Sequence, residues 1–324
     1  MRIRTPLRLG VLTTAAALAL LAGGNAATVN AAAVLSPGAA ACLPGADTGG
    51  ASGARVKPGG TAAEPALYPK NEANAYGVLK DLPTLADGSV QIDTVFHMVD
   101  KDAFTTAEKA RWQKLIAAQM KVLNDSYSGA TAAGAADTPF RFRLVDTTWT
   151  TNAAWYSAVP SSSAERDMKK TLYRGDATTL NVYGTEGGGL LGWAYFPKGY
   201  NNGRDYIDGV VMMAESMPGG TGLGYTKYTE GDTLTHESGH WLMLEHTFAH
   251  GCAANGDWVA DTAPEAIPQF DCPIGADTCA APGVDPIHNF MDYSQDSCMN
   301  MFTQGQSDRM SDAWRQFRAG GGKS

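Results

Sequence analysis

The stretch from Thr235 to His246, Thr-His-Glu-Ser-Gly-His-Trp-Leu-Met-Leu-Glu-His, constrains this chain more than any other. On a helix, His236 and His240 leave the same face because they are one turn apart. Glu237 beside the first histidine completes H-E-x-x-H, in which two histidines bind zinc and the glutamate is the general base. His246 supplies the third ligand that a hydrolytic zinc site needs beside its open position for water. The stretch therefore predicts a zinc hydrolase site on a helix.

H-E-x-x-H alone also arises by chance in helices, so the motif needs the third histidine as support. The alternative function is a structural zinc without catalysis. The chain would then be a zincin-like binding or adhesion protein with no turnover. Glu237 argues against this alternative, since a purely structural site needs no base. We therefore expect a zinc metalloendopeptidase that uses Glu237 as general base and then as general acid. Its partners would be protein or peptide substrates.

Length and charge exclude other classes of protein. With 324 residues, of which 44% are hydrophobic, the chain is long enough for one large domain or two lobes. With a net charge of −8, the chain lacks the excess of basic residues that is typical of nucleic-acid-binding proteins. The sequence shows no lysine-rich tail of the kind that binds anionic membranes, so we expect no stable membrane association. The sequence assigns no oligomeric state.

The N-terminal region predicts secretion. A basic start is followed by a short apolar run, Val11 to Ala22, and by small residues, which is typical of a signal peptide over residues 1–31. Residues 32–86 are dominated by Ala, Gly, Pro and Ser, which predicts a low-complexity leader or pro-segment with order beginning near Asp87. Cys42 in this segment is either a latency switch on the zinc or a spare cysteine.

The remaining chain, residues 87–320, is predicted to be an α+β (mixed α/β) catalytic domain. A mixed sheet and the zinc helix would form an N-terminal lobe to about residue 246, with an irregular C-terminal lobe from about 247. Strands are predicted over residues 89–99, 140–150, 179–183 and 207–213, and after the glycines at 187–189. Helices are predicted over 105–124 and 164–173, and from Thr303 to 317. Capping boxes, Thr105 with Glu108 and Thr303 with Gln306, begin the first and the last of these. The zinc helix has Thr229 as a possible N-cap.

Four cysteines lie in the C-terminal third: Cys252, Cys272, Cys279 and Cys298. Their spacings contain no Cys-x-x-Cys pair, so disulfides are favoured over a cysteine-zinc site. Four cysteines allow three pairings, and the spacings alone do not choose among them.

The zinc stretch resembles the metzincin motif, and Asn289-Phe-Met-Asp-Tyr-Ser294 resembles its Met-turn. Further stretches narrow the resemblance to the pappalysin family of secreted metallopeptidases. They are Gly-Leu-Leu-Gly-Trp-Ala-Tyr-Phe-Pro (189–197), Gly-Asp-Trp-Val-Ala-Asp-Thr (256–262), Asp-Pro-Ile-His-Asn-Phe-Met-Asp-Tyr-Ser (285–294) and Ser-Cys-Met-Asn-Met-Phe-Thr-x-Gly-Gln (297–306). The resemblance covers roughly residues 89 to 318 and implies a metzincin-like zincin fold.

The resemblance also implies roles for three residues near the zinc. Met291 would form the hydrophobic floor beneath the ligands. Tyr293 would supply a hydroxyl to the developing oxyanion, or else simply pack beneath the site. Asp296 would lie in the specificity pocket, where a carboxylate favours Arg or Lys after the cut bond.

The lower lobe, by the same resemblance, would be held by disulfides and calcium. The disulfides would be Cys252–Cys279 and Cys272–Cys298. Possible calcium ligands are the oxygen donors Asp257, Asp261, Thr262 and Glu265. A solvated acidic loop is the alternative for this last group.

One letter departs from the family motif. The family has Gly three residues after the second histidine, where this chain has Met243. A positive φ there would cost a non-glycine residue about 1–2 kcal/mol. If the helix continued instead, Glu245 would be the substitute ligand. It would sit far round that helix, so His246 stays the predicted third ligand.

Overall fold

The structure is a computed structural model that describes residues 54–58, 77–197 and 205–320, all within one compact unit, Cys42–Ser324. The predicted signal peptide and Cys42 lie outside the described residues. Among the described helices, none has the length and apolar composition needed to cross a bilayer.

A six-stranded mixed sheet forms the core of the fold. Its strands are β1 (Ala54–Arg55), β2 (Val90–Asp100), β3 (Phe140–Thr151), β4 (Leu180–Thr185), β5 (Gly192–Trp193) and β6 (Val210–Met213). Their spatial order is β1-β5-β6-β4-β2-β3. The pairs within β3, β2, β4 and β6 are parallel, whereas β5 is antiparallel to both β6 and β1. The strand predicted over 207–213 is shorter, because Asp205–Ile207 forms a 3-10 turn.

The first long helix, α1 (Thr106–Tyr127), begins at the predicted capping box. The Thr105 hydroxyl accepts the Glu108 N–H, and the Glu108 carboxylate accepts the Thr105 N–H at 2.7 Å. Its apolar face is buried in the main core through Trp112, Leu115, Ile116 and Leu123. The predicted end near Asn124 is too early, since Tyr127 is fully buried and its hydroxyl donates to the Thr235 carbonyl.

Two shorter helices, α2 (Ala153–Tyr156) and α3 (Ser163–Leu172), connect β3 to β4. The second confirms the amphipathic helix predicted over 164–173. Its fully buried Glu165 pairs with Lys169 at 3.1 Å and accepts the Trp193 indole N–H at 2.7 Å. Because Trp193 belongs to β5, this buried ion pair fixes the position of the sheet edge.

The zinc-motif helix is α4 (Asp232–Trp241), and every residue in it is buried. The predicted N-cap, Thr229, is wrong: the helix begins after Gly231, whose φ of 104° is in the left-handed region. The Asp296 carboxylate accepts the N–H groups of Glu230 and Gly231 at 2.9 and 3.2 Å, which stabilises this turn. The helix thus begins without a side-chain cap, and a distant carboxylate holds the residues just before it.

The C-terminal lobe is irregular until α5 (Gln304–Ala313), which begins at the predicted capping box of Thr303 and Gln306. The helix continues into a π-helical turn, Trp314–Arg318. Arg318 is fully buried, donates twice to the Trp241 carbonyl and pairs with Asp208 at 3.1 Å. The final helix therefore supports the C-terminal end of α4 directly.

Part of the predicted leader is ordered, so the expectation that order begins near Asp87 is wrong. Arg55, Val56 and Lys57 are buried in the sheet and cleft. The Leu82 and Leu85 N–H groups donate to side chains of α5, at 3.0 and 2.9 Å. Composition missed these contacts because the buried groups are polar backbone and charged side chains whose partners lie more than 200 residues away.

Candidate metal centre and substrate cleft

Three histidines converge at the end of α4. The Nε2 atoms of His236, His240 and His246 are 3.0–3.2 Å from one another, and all three rings are buried. Tetrahedral zinc at about 2.0–2.1 Å from each nitrogen requires separations of about 3.3 Å. The structure thus brings the predicted ligands together in an arrangement that fits zinc.

Backbone carbonyl groups fix the orientations of two imidazole rings by hydrogen bonds to their Nδ1 atoms. His236 Nδ1 lies 2.6 Å from the Phe290 carbonyl oxygen, and His240 Nδ1 lies 2.7 Å from that of Leu244. A carbonyl accepts only from N–H, so each Nε2 presents its lone pair to the metal position. Burial lowers the pKa of His240 to about 4. It also lowers the pKa of His236 well below its usual value, helped by the neighbouring histidines. His236 and His240 are therefore neutral imidazoles, as metal binding requires.

Met243 adopts the conformation that the family glycine would have. Its φ is +76°. Its N–H donates to the His240 carbonyl at 2.8 Å, and the Leu244 N–H donates to the Gly239 carbonyl at 2.9 Å. These two bonds make a Schellman motif, which ends the helix and turns the chain toward His246. Glu245, the substitute ligand considered from the sequence, instead pairs with His250 at 3.0 Å.

Glu237 faces the sheet edge across a narrow gap. A Cβ on Gly192 of β5 would lie 2.9 Å from the Glu237 Cγ and 3.0 Å from its Oε1. Only glycine lets the edge strand approach the carboxylate this closely. The same Oε1 accepts the Arg55 backbone N–H at 2.9 Å. This distance is within the range of about 2.6–3.2 Å that proton transfer between a carboxyl group and a nitrogen requires.

The predicted floor lies beneath the helix. A Cβ at Gly239 would overlap the Met291 Sδ, so the glycine makes room for the Met-turn. The Tyr293 ring is buried, with its centroid 4.8 Å from the His246 ring and 5.9 Å from the His236 ring. Tyr293 therefore packs against the histidine cluster, and Met291 lies against the zinc-motif helix at Gly239. The two glycines that permit these approaches were not identified from the sequence.

Asp296 forms one wall of a buried pocket that holds the Arg55 guanidinium. Arg55 Nη1 lies 2.8 Å from Asp296 Oδ1 and 3.3 Å from the Thr233 hydroxyl, and both charged side chains are fully buried. Arg55 Nη2 donates to the Ser294 carbonyl at 2.7 Å. The guanidinium also lies 5.0 Å from the Tyr228 ring centroid. Sequence reasoning missed Arg55, Thr233 and Ser294; the one signal for Arg55 was a basic Arg-Val-Lys-Pro in a segment of small residues.

The cysteines pair as the resemblance implies. Cys252 is bonded to Cys279, and Cys272 to Cys298, with Cα–Cα distances of 5.5 and 5.6 Å. A second cluster with metal-ligand potential, Cys272, His288 and Cys298, uses both sulfurs of one disulfide. No thiolate is left there, so this cluster is structural.

The predicted calcium residues separate into two groups. Asp261 caps α5, accepting the Thr303 hydroxyl at 2.7 Å and the Gly305 N–H at 2.9 Å. Asp257, Thr262 and Glu265 are buried, and the Thr262 hydroxyl donates to Asp257 at 2.6 Å. Asp261 therefore caps α5 and does not belong to the acidic group around Asp257.

Sequence comparison identifies relatives of the chain. A family model described as "Pregnancy-associated plasma protein-A" and labelled as a peptidase matches residues 209–315. Extracellular metalloprotease 1 of Coccidioides posadasii is 42% identical over 236 residues, covering 71% of this chain and 79% of the relative. An extracellular metalloprotease of Colletotrichum graminicola is 39% identical over 238 residues, covering 72% and 79%.

Solved structures give a concordant result. Mature mirolysin of Tannerella forsythia, in complex with a cleaved peptide, has a TM-score of 0.54 and 27% identity. The alignment covers 69% of this chain and 91% of that one. A promirolysin mutant from the same organism has a TM-score of 0.57 and 26% identity, with coverages of 78% and 87%. The similarity therefore extends over more than two thirds of this chain.

Proposed function

The chain belongs to the pappalysin family of metallopeptidases, and from that premise we propose the roles of its own residues in catalysis and specificity. It is a zinc-dependent endopeptidase and an extracellular protein, as its relatives are. His236, His240 and His246 would hold the zinc, and Glu237 would be the general base and acid. The observation that carries this proposal is a triangle of Nε2 atoms beside a buried glutamate that already contacts a peptide nitrogen.

A zinc ion held by the three imidazoles would supply Lewis-acid chemistry: it would lower the pKa of water at the site toward neutrality, so that loss of a proton leaves a nucleophile. Glu237 receives the proton from that water and returns it to the leaving amine. The edge strand β5 aligns the substrate backbone and so limits which peptide bond faces Glu237. We assign the Tyr293 hydroxyl to the developing oxyanion, supported by the packing of its ring on His246.

Asp296 would direct cleavage to bonds that precede an arginine. The buried pocket supplies a carboxylate, a hydroxyl, a carbonyl and an aromatic face to one guanidinium. These acceptors match the planar, forked set of donors in arginine, which lysine lacks. Asp232 adds a second buried carboxyl near this pocket, and its pKa is raised well above the usual value by burial and by Asp296. Arginine is therefore the preferred residue after the cut bond, ahead of lysine.

Calcium would bind at the acidic group of Asp257 and Glu265. Among the described residues, the Asp257 Oδ2 and Glu265 Oε1 atoms are buried without a hydrogen-bond partner. Burial raises the pKa of Asp257 to about 7, and burial and Asp292 raise that of Glu265 well above its usual value. Buried carboxylates of this kind are stabilised by a cation with oxygen preference.

Thermal unfolding tests the calcium proposal. Calcium at about 100 times its dissociation constant should stabilise a zinc-loaded chain by about 2.7 kcal/mol. The response should disappear in Glu265→Gln and persist in Asp261→Asn. An unchanged midpoint in the wild type would remove calcium from the account.

The precursor would have three parts, supported by the composition of the leader and the extracellular relatives. Residues 1–31 would be the signal peptide and residues 32–86 the pro-segment. Residues 87–320 would be the catalytic domain, with its lobes meeting near residue 246.

Casein hydrolysis tests the assignment of the zinc site. The wild type should hydrolyse casein, a zinc chelator should abolish hydrolysis, and zinc should restore it. Glu237→Gln should bind one zinc per chain but hydrolyse nothing measurable. Activity that survives both the chelator and Glu237→Gln would contradict the assignment.

A further inference from the structure

Two tyrosines, Tyr225 and Tyr228, lie on one turn beside the cleft. The Tyr228 N–H donates to the Tyr225 carbonyl at 3.0 Å, so a single backbone turn carries both rings. The Tyr228 ring lies against the Arg55 guanidinium in the Asp296 pocket. The Tyr225 ring is half-buried and packs from one side against the cluster of Leu191, Met213 and Tyr228. The two tyrosines therefore present neighbouring rings to the cleft.

The segment from Arg55 to Lys57 shows which side chains of an extended peptide meet these rings. Arg55 pairs with Gly192 of β5, and side chains alternate along such a strand. The Arg55 guanidinium lies 5.0 Å from the Tyr228 ring centroid, and the Lys57 ammonium lies 5.1 Å from that of Tyr225. Val56, between them, packs instead in the apolar cluster that contains Trp193 and Tyr293. The first and third side chains thus meet the two tyrosines.

The surroundings of Lys57 suit a cation. Its side chain is buried, with 8% of the residue exposed, although it carries an ammonium. The face of an aromatic ring attracts an ammonium within about 6 Å of its centroid, as Tyr225 does here. Burial lowers the pKa of Lys57, and the neighbouring Glu186 carboxylate opposes this shift. The ring and the carboxylate therefore offset part of the cost of withdrawing the ammonium from water.

The turn that carries Tyr225 is anchored on both sides. Before the turn, the Thr221 N–H donates to the Glu215 carboxylate at 2.7 Å, and that carboxylate pairs with a basic side chain of α1. After Tyr225, the Lys227 carbonyl accepts the Asp296 N–H at 3.1 Å. The Tyr225 ring is therefore held in place relative to the Asp296 pocket, which lowers the entropy cost of binding a side chain against it.

We propose that the substrate cleft has a second cation subsite, built by Tyr225 and Glu186, for a basic side chain at the third position after the cut bond. The inference rests on the proposed function, in which the Asp296 pocket holds the residue directly after that bond. It defines a narrower class of substrate, with arginine after the cut bond, then an apolar residue, then lysine or arginine. Because the subsite lies away from the reacting atoms, it should act on KM more than on kcat.

Hydrolysis of four peptides tests the subsite. The peptides share Ala-Arg-Val around the cut bond and carry lysine, norleucine, alanine or glutamate at the third position after it. The wild type should hydrolyse the lysine peptide with a kcat/KM about fivefold above that of the norleucine peptide, which has the stem without the charge. The glutamate peptide should have the lowest kcat/KM. Equal values for lysine and norleucine would overturn the inference.

Variants of the wall locate the preference for lysine over norleucine, measured as the ratio of the two kcat/KM values in one chain. Tyr225→Leu should abolish the preference and Tyr225→Phe should retain it, because the ring face attracts the ammonium. Glu186→Gln should weaken it. The matched control is Tyr206→Leu, which removes a half-buried ring from the 3-10 turn before β6 and should leave the ratio unchanged. A preference that survives Tyr225→Leu would overturn the inference.

A measurement without catalysis separates this inference from the function itself. In the Glu237→Gln chain, Lys57→Met should raise the unfolding equilibrium constant more when Tyr225 is present than in Tyr225→Leu, by a factor of about two to five. Equal effects in guanidinium denaturation would overturn the inference. A wild type that hydrolyses all four peptides equally would also overturn it and leave the peptidase assignment intact. If no peptide is hydrolysed, the peptidase assignment fails, and the coupling of Lys57 to Tyr225 still decides whether the ring holds a cation.

Discussion

The backbone at Met243 gives a quantitative test of how the third ligand reaches the zinc. Its φ of +76° costs a residue with a Cβ about 1–2 kcal/mol relative to glycine. Its side chain is fully buried against Phe196 and Ala313. Truncation of a buried methionine to alanine costs about 2–5 kcal/mol. We therefore expect both Met243→Ala and Met243→Gly to destabilise the chain, although glycine restores the family residue.

The difference between these two variants isolates the strain, because both lose the methionine packing. On ordinary backbone, glycine is about 0.5–1 kcal/mol less stable than alanine. At a positive φ the order reverses, so Met243→Gly should be more stable than Met243→Ala by about 1 kcal/mol.

Guanidinium denaturation of zinc-loaded chains, all carrying Glu237→Gln to prevent hydrolysis, measures the difference. The midpoints should increase from alanine to glycine to methionine. An alanine variant as stable as the glycine variant, or more stable, would show that residue 243 is not left-handed. The path by which the chain turns to His246 would then be refuted.

Three other perturbations have defined outcomes. Asp296→Asn should lower kcat/KM for a peptide with arginine after the cut bond by about 100-fold, because about 2–3 kcal/mol of charge-assisted hydrogen bonding is lost. The kcat/KM for a peptide with leucine at that position should change little. Equal losses of kcat/KM for the two peptides would refute the assignment of Asp296 to an arginine pocket. Burial lowers the pKa of His97 to about 4 in the folded chain, so between pH 6.5 and 4 the unfolded chain binds one more proton and the free energy of unfolding falls by about 3 kcal/mol. His97→Gln should remove this loss of stability at low pH. A variant with the pH profile of the wild type would contradict the assignment to His97. Gly239→Ala should lower the free energy of unfolding by about 1–3 kcal/mol, because the added Cβ overlaps Met291. In the double variant with Met291→Ala, part of this loss should be recovered. Additive losses of stability in the double variant would show that the strain lies elsewhere.

Local patterns predicted much of this fold because the signals were short in range. The capping boxes at Thr105 and Thr303 and the apolar face of α1 depend on residues within one or two turns. The histidines were identifiable because helical geometry places two of them together. The N-cap prediction at Thr229 was wrong because the helix begins after Gly231, in a turn that is held by Asp296, 65 residues further along the chain. No local pattern encodes such a partner.

The residues that complete the cleft could not be found from periodicity. Arg55 is buried by a pocket whose walls come from Thr233, Ser294 and Asp296. Gly192 and Gly239 matter because of what approaches them in space. Such requirements are set by tertiary contacts, which a single sequence does not display.

Zinc K-edge absorption spectroscopy distinguishes a site with three histidine ligands from a site with two. The sample is a zinc-loaded Cys42→Ser, Glu237→Gln chain, in which no leader thiolate competes for the metal and no hydrolysis occurs. We expect three imidazole nitrogens at about 2.0–2.1 Å from the zinc and a further light atom, with one imidazole lost in His246→Ala. Two imidazoles in the parent chain, or a spectrum that His246→Ala leaves unchanged, would contradict the three-histidine site.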